Sequence, residues 1–180
     1  MLKNFRIIAI DDSPFVRKQA ECLLVGVVCR RGEVEGILSS RVAVDGRDAT
    51  ERISRMIRSS RFAPQLQCIM LNSIMMGGFN VVDIQGLSKE VGMPVLALTR
   101  KRPDMKAVEQ AMHKHFADWH ERVELARRAG PAHKYKFYMQ IAGTSLEKAK
   151  EIVDAYGIGP LRLANMIASG IVKGESRGRM

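Results

Sequence analysis

The chain has 180 residues, 46% of them hydrophobic, and sets 29 basic side chains against 19 acidic ones for a formal net charge of +10. That apolar content excludes a disordered chain, and the length suits one domain over residues 1–180. The longest apolar runs are too short to span a bilayer, so no membrane partner is expected, while the positive excess suits a polyanion such as nucleic acid.

The chain opens on RIIAIDDSPF, residues 6–15. Residues 5–10 read as a buried strand ending at two adjacent carboxylates, Asp11 and Asp12. The apolar stretch is too brief for a signal peptide. ECLLVGVVCRRG (21–32) and VEGILSSRVAV (34–44) follow as two more strands with short connections, which favours antiparallel pairing. The cysteines, Cys22, Cys29 and Cys68, are scattered and odd in number, which predicts reduced core thiols and a reducing cytoplasm.

The period then changes. Ala49, Ile53, Met56 and Ile57 recur at helical spacing, and Asp48 with Glu51 three residues on suggests a cap. LQCIML (66–71) reads as a strand, 80–91 as a helix after the Gly77-Gly78 break, and PVLALT (94–99) as another strand. Pro103 opens one long helix whose apolar stripe runs through Val108, Met112 and Phe116 to Ala126. KYKFYMQIAG (134–143) alternates as a strand, Thr144 to Glu147 form a capping box, and Pro160 opens a last helix before a polar, basic tail. The order β-β-β-α-β-α-β-α is that of a ribonuclease H-like α/β fold: three antiparallel strands, then two parallel ones, with helices on both faces.

Adjacent acids at a strand end repel unless a cation joins them, and Mg²⁺ takes one or two carboxylates plus phosphate and water. Asp11 and Asp12 are therefore candidate Mg²⁺ ligands; an Asx turn at Asp12-Ser-Pro is the structural alternative. Asp45 and Asp48, in VDGRDAT (44–50), would join them if the first strand lies beside that loop, otherwise serving as turn and cap. Asn72 ends a strand where open α/β sheets place ligands. Gly77 and Gly78 let backbone approach a phosphate, with Asn80 beside them, and Phe79, if exposed, offers a face to a base. Arg100 and Lys101 follow another strand and suit phosphate. The histidines show no metal spacing, and no Walker A, GxGxxG or Ser-His-Asp pattern occurs.

Two resemblances follow. IIAIDDSPFVRK looks like the opening strand of a response-regulator receiver, but two further strands follow it and Asn72 stands where a receiver needs a phosphorylatable Asp. The stronger resemblance covers essentially the whole chain, through AIDDSPF, LLVGVVCRRG, VAVDGRDAT, PQLQCIMLNSIMMGGFNVVDI, PVLALTRKRPD, YMQIAG, PLRLANMIASGI and GESRGR. These stretches are similar to the archaeal DUF99 (UPF0215) family, endonuclease V-like proteins also named endonuclease dU. The resemblance implies an endonuclease V-type fold and a Mg²⁺-dependent nuclease, with Mn²⁺ as a substitute, acting on DNA that carries a deaminated base, deoxyuridine. It also implies that Asp11 or Asp12 is the first-strand metal Asp and that Asp45 or Asp48 is the second acid. Asn72 then stands where endonuclease V has another Asp, Arg100 or Lys101 where a catalytic Lys is expected, and Asn165 where relatives carry a His. A nucleic-acid-binding protein with weakened or lost catalysis is the alternative these asparagines motivate.

Overall fold

A computed structural model describes residues 4–16 and 18–176; the last four residues of the basic tail lie outside them. Strand β1 (Arg6–Asp12) pairs antiparallel with β2 (Glu21–Arg30), which pairs antiparallel with β3 (Glu33–Ala43). Arg31 and Gly32, at φ 54° and 81°, form the two-residue turn between β2 and β3, a geometry whose twist matches that of the strands it joins. Helix α1 (Ala49–Arg58) leads to β4 (Cys68–Leu71), which lies parallel to β1 on its other side. A small hairpin, β5 (Met75–Met76) and β6 (Asn80–Val81), precedes α2 (Ile84–Val91). Strand β7 (Val95–Thr99) then pairs parallel with β4.

Helices α3 (Met105–His115) and α4 (Trp119–Arg128) follow. Strand β8 (His133–Lys134) and β9 (Tyr138–Ala142) extend the sheet antiparallel to β7, before α5 (Leu146–Tyr156) and α6 (Gly159–Lys173). The sheet order is β3-β2-β1-β4-β7-β9-β8. The three antiparallel and two parallel strands stand as expected, with an antiparallel edge added beyond them.

Strand β1 lies near the middle of the sheet and is buried on both faces, which explains its unbroken apolar run. Ile8 and Ile10 face one core with Ile53 and Ile57 of α1 and Leu87 of α2. Ile7 and Ala9 face the other with Ile152 of α5 and Leu161, Ala164 and Ala168 of α6. Helices therefore cover both faces.

Several boundaries differ from the sequence reading. The long helix after Pro103 is two, because Phe116 adopts extended backbone (φ −131°, ψ 130°) and packs its ring against the core, and Asp118 starts a new helix. Asp104, not Pro103, begins α3, its carboxylate accepting from the Ala107 N–H at 3.0 Å. The segment 80–91 starts as a strand because Met76 pairs with Asn80. The 134–143 segment folds back as a short hairpin. Ser145, rather than Thr144, caps α5, accepting from the Lys148 N–H at 3.2 Å. No helix among the described residues is long and apolar enough to cross a membrane. Cys22, Cys29 and Cys68 are buried free thiols, and burial pushes the first two up to about 12 and about 11.

Candidate active site

Strand β1 continues through both acids, and successive side chains in a strand point to opposite faces. Asp11 follows Ile7 and Ala9 toward α6; Asp12 follows Ile8 and Ile10 toward α1. The two carboxylates are neighbours in sequence that serve different layers.

Asp11 is 2% exposed. Asn72, the first residue after β4, donates from Nδ2 to both Asp11 carboxylate oxygens at 3.2 Å. The Asp12 N–H donates to Asp11 Oδ1 at 3.0 Å, and the nearby Asn165 side chain, from α6, also favours the charged carboxylate. Three distant segments thus meet at Asp11: β1, the end of β4, and α6. Burial, and then the charge of Asp12, push the Asp11 carboxyl up to about 7 against the opposing hydrogen bonds. Burial also raises Asp12, whose Oδ2 accepts from the Gly77 N–H at 2.8 Å.

Asp12 therefore braces the turn of the small hairpin, and Asp45 braces it from the other side. Asp45, at φ 56°, donates its N–H to the Gly77 carbonyl at 2.7 Å and accepts the Phe79 N–H on Oδ1 at 2.8 Å. Gly78 sits at φ 86°, and a Cβ there would stand well under 3.0 Å from Asp45 Oδ1. Gly78→Ala should cost about 2 kcal/mol, through both the left-handed backbone and the broken Asp45–Phe79 bond. Gly32→Ala, with φ 81° but open space around it, should cost about 1 kcal/mol. Urea unfolding of the two variants checks the difference; equal losses would mean Asp45 contributes nothing.

Asp48 occupies the position before α1, but its side chain makes no cap bond. Its Oδ1 accepts from the Ala43 N–H at 3.1 Å and from Asn80 Nδ2 at 2.7 Å, and its Oδ2 from Arg52 Nε at 2.9 Å. Burial disfavours its charge, but these hydrogen bonds outweigh that and hold the carboxyl below its ordinary range. The cap comes from Asn80, whose Oδ1 accepts the Ala49 N–H at 3.0 Å while its Nδ2 also donates to the Ala43 carbonyl. Asn80 is fully buried, so the expectation that it touches substrate is corrected: it is a strut between α1 and the hairpin.

Asp45 and Asp48 are thus occupied with local bonds. Among the described residues, no three His, Cys, Asp or Glu side chains gather closely enough to hold an ion. The donor set around Asp11, one carboxylate with two amides whose oxygens can turn inward, fits a single hard cation that keeps most of its shell for water and phosphate. It does not fit two ions.

Phe79 is half-buried, its ring edge-on to Phe116 at 5.5 Å between centroids. Arg100 and Lys101 are exposed just beyond β7, at the sheet end that also carries Asp11 and Asn72, because β1, β4 and β7 run parallel. Neither side chain has an ion pair among the described residues, which leaves both charges free for a phosphate.

One residue escaped the sequence reading. Arg122 of α4 is 7% exposed and bridges three segments. Its Nε donates to Asp118 Oδ1 at 2.9 Å, and its Nη1 to the carbonyls of Gly46 (3.0 Å) and Phe79 (2.9 Å). Its guanidinium carbon stands 4.2 Å from the centre of the Phe116 ring. The only sequence signal was Asp118 four residues earlier, a common surface pairing.

A family model described as endonuclease dU matches residues 3–172. A UPF0215 protein from Methanothermobacter thermautotrophicus is 45% identical, over 97% of this chain and 91% of that protein. A solved Archaeoglobus fulgidus protein of unknown function superposes with a TM-score of 0.88 at 36% identity, covering 94% of this chain and 99% of that one. Endonuclease V from Ciona intestinalis, solved with DNA containing an inosine followed by a ribo-adenosine, superposes with a TM-score of 0.56 at 11% identity, covering 94% and 87%. The last likeness identifies the architecture as the ribonuclease H-like fold of endonuclease V, and the match over residues 3–172 establishes that the chain belongs to the endonuclease dU family.

Proposed function

We propose that this chain is a metal-assisted endonuclease of a single endonuclease V-like domain, cutting a DNA phosphodiester near a deaminated base, deoxyuridine in the first instance. The observation that carries the reading is the convergence of Asn72 and Asn165 on the buried Asp11 at the end of the central strand. Family membership and a DNA-bound neighbour of the same fold support it. The buried free thiols suit a reducing cytoplasm.

Asp11, Asn72 and Asn165 would hold one Mg²⁺, or Mn²⁺ in its place, which when bound supplies Lewis acidity at the phosphate and an activated water. Lys101 or Arg100 offsets the charge that gathers on the phosphate oxygens. Asp12 and Asp45 keep the Gly77–Phe79 turn in place beside that centre.

One observation favours a second reading, binding without cleavage: the position next to Asp11 holds a neutral amide, and Asp48 is committed to Arg52, Asn80 and Ala43. Uracil- and inosine-containing duplexes incubated with Mg²⁺ or Mn²⁺ separate the two. Metal-dependent nicking, reduced at least about 100-fold in Asp11→Asn, is the expected result. Salt-sensitive binding with no nick under either metal would establish the second reading instead.

A further inference from the structure

Directly after the acid pair, residues 13–16 and 18–20 leave the sheet, and the base of this excursion is anchored on β2. The Ser13 N–H donates to the Leu23 carbonyl at 2.8 Å, and Ser13 Oγ accepts the Leu23 N–H at 3.1 Å. The tip is closed by its own bonds: the Gln19 N–H donates to the Val16 carbonyl at 3.0 Å, and Gln19 Nε2 to the Glu21 carbonyl at 2.5 Å. This braced turn holds two apolar side chains out to solvent, Phe15 at 36% exposure and Val16 at 71%. The Phe15 ring edge lies 3.5 Å from where a side chain on Gly78 would begin, so the ring stands over the turn that Asp12 and Asp45 brace. Lys18, in the same excursion, is exposed at φ 78°.

An exposed aromatic edge and an exposed valine cost free energy in water, and the described residues leave both in contact with solvent. Their surroundings identify an occupant. The chain is strongly basic, a lysine shares the loop, and the ring stands over the turn that the Asp12 carboxylate holds. An aromatic interleaved with cations along a positive surface is the pattern that stacks unpaired bases of a nucleic-acid strand. Phe79, the ring marked for that role by the sequence, is turned edge-on to Phe116 and half-buried, whereas Phe15 presents its ring from a preformed loop.

We propose that the Phe15–Val16 tip is a nucleobase-stacking site, on which an unpaired base of a bound strand leaves its own stack and rests. The proposal rests on the nucleic-acid reading of the Asp11 centre and names the part of the substrate that the neighbouring Asp12-held turn receives.

The test is binding of a single-stranded oligodeoxynucleotide containing 2-aminopurine, with a chelator present so that no cleavage intervenes. Phe15→Ala should weaken binding about 10-fold. It should leave the dependence on log salt unchanged, because no phosphate contact is lost. The 2-aminopurine emission change seen with wild type should disappear, and Phe15→Trp should restore both affinity and signal. Because the ring is at the surface, the melting temperature of Phe15→Ala should stay near wild type. Unchanged affinity in Phe15→Ala and Val16→Ala overturns the proposal. So does a wild-type chain that binds no strand at low salt, or self-association that Phe15→Ala abolishes while strand binding persists. Stacking at Phe15 without cleavage of any uracil duplex would leave this site standing and remove the nuclease reading. Asp11-dependent cleavage with affinity indifferent to Phe15 would do the reverse.

Discussion

Arg122→Met is expected to lose about 3 kcal/mol of folding free energy, the largest effect of any single substitution outside the two apolar cores. The guanidinium is buried, and its removal leaves the Gly46 and Phe79 carbonyls and one oxygen of Asp118 without their donor. Methionine fills the volume and stacks on Phe116 but supplies no hydrogen bond. The Asp118 carboxylate is partly solvated and lies 3.5 Å from Arg47, so its share of the loss is small and the carbonyls carry most of it. Arg122→Lys should recover less than half, because an ammonium cannot reach acceptors spread across a planar fork. Urea midpoints at constant slope measure the loss; a decrease below about 1 kcal/mol would show that water substitutes freely. Arg122 ties the Gly77–Phe79 turn to the Asp45–Gly46 loop that braces it, so nucleic-acid affinity should fall with stability.

The second large effect is in pH. With a chelator present, the wild-type chain should gain stability from Asp11 as pH falls from about 7 toward 4. The sign follows from the proton count. In the folded chain burial and the Asp12 charge push this carboxyl up to about 7, whereas in the unfolded chain it ionises near the ordinary 3.8. Between those values the folded state holds a proton that the unfolded state has lost, so stability declines as pH rises through the window. The contribution is fully present below about 4 and gone above about 7. Its upper bound is about 4 kcal/mol, and coupling to Asp12 makes about 2 kcal/mol a better expectation. Asp11→Asn should flatten the window, and Mg²⁺ added at pH 7.5 should raise the melting temperature of wild type but not of the variant. A wild-type profile parallel to that of Asp11→Asn would show that Asp11 titrates normally.

Much of the architecture was legible because periodicity reports burial. The β1 run, the switch to helical spacing at Ala49 and the β4 and β7 runs all followed from which residues the sheet and helices cover. What escaped were features made by contacts between segments. The two-residue strands β5 and β6 are too short to carry a period. The break before α4 comes from Phe116 turning onto Phe79, which no local pattern announces. Asn80 read as a polar residue next to a glycine turn, and only the packing of α1 against the hairpin shows it to be a buried cap. Ending the first strand at residue 10 also hid the meaning of the acid pair, because two more residues of strand turn Asp11 and Asp12 to opposite faces. The observed strand order explains why Asn72, read from the sequence only as a strand-end residue, meets Asp11: parallel neighbours place their C-terminal ends together.

That opposite orientation makes the single peptide unit between Asp11 and Asp12 a mechanical link across the sheet. Its N–H is already held by the Asp11 carboxylate, and the side chain beyond it grips Gly77. A ligand that draws Asp11 toward it also pulls on the bond that seats the hairpin on the far side. Occupancy on the α6 face is therefore expected to shift the Gly77–Phe79 turn on the α1 face, through the length of one residue.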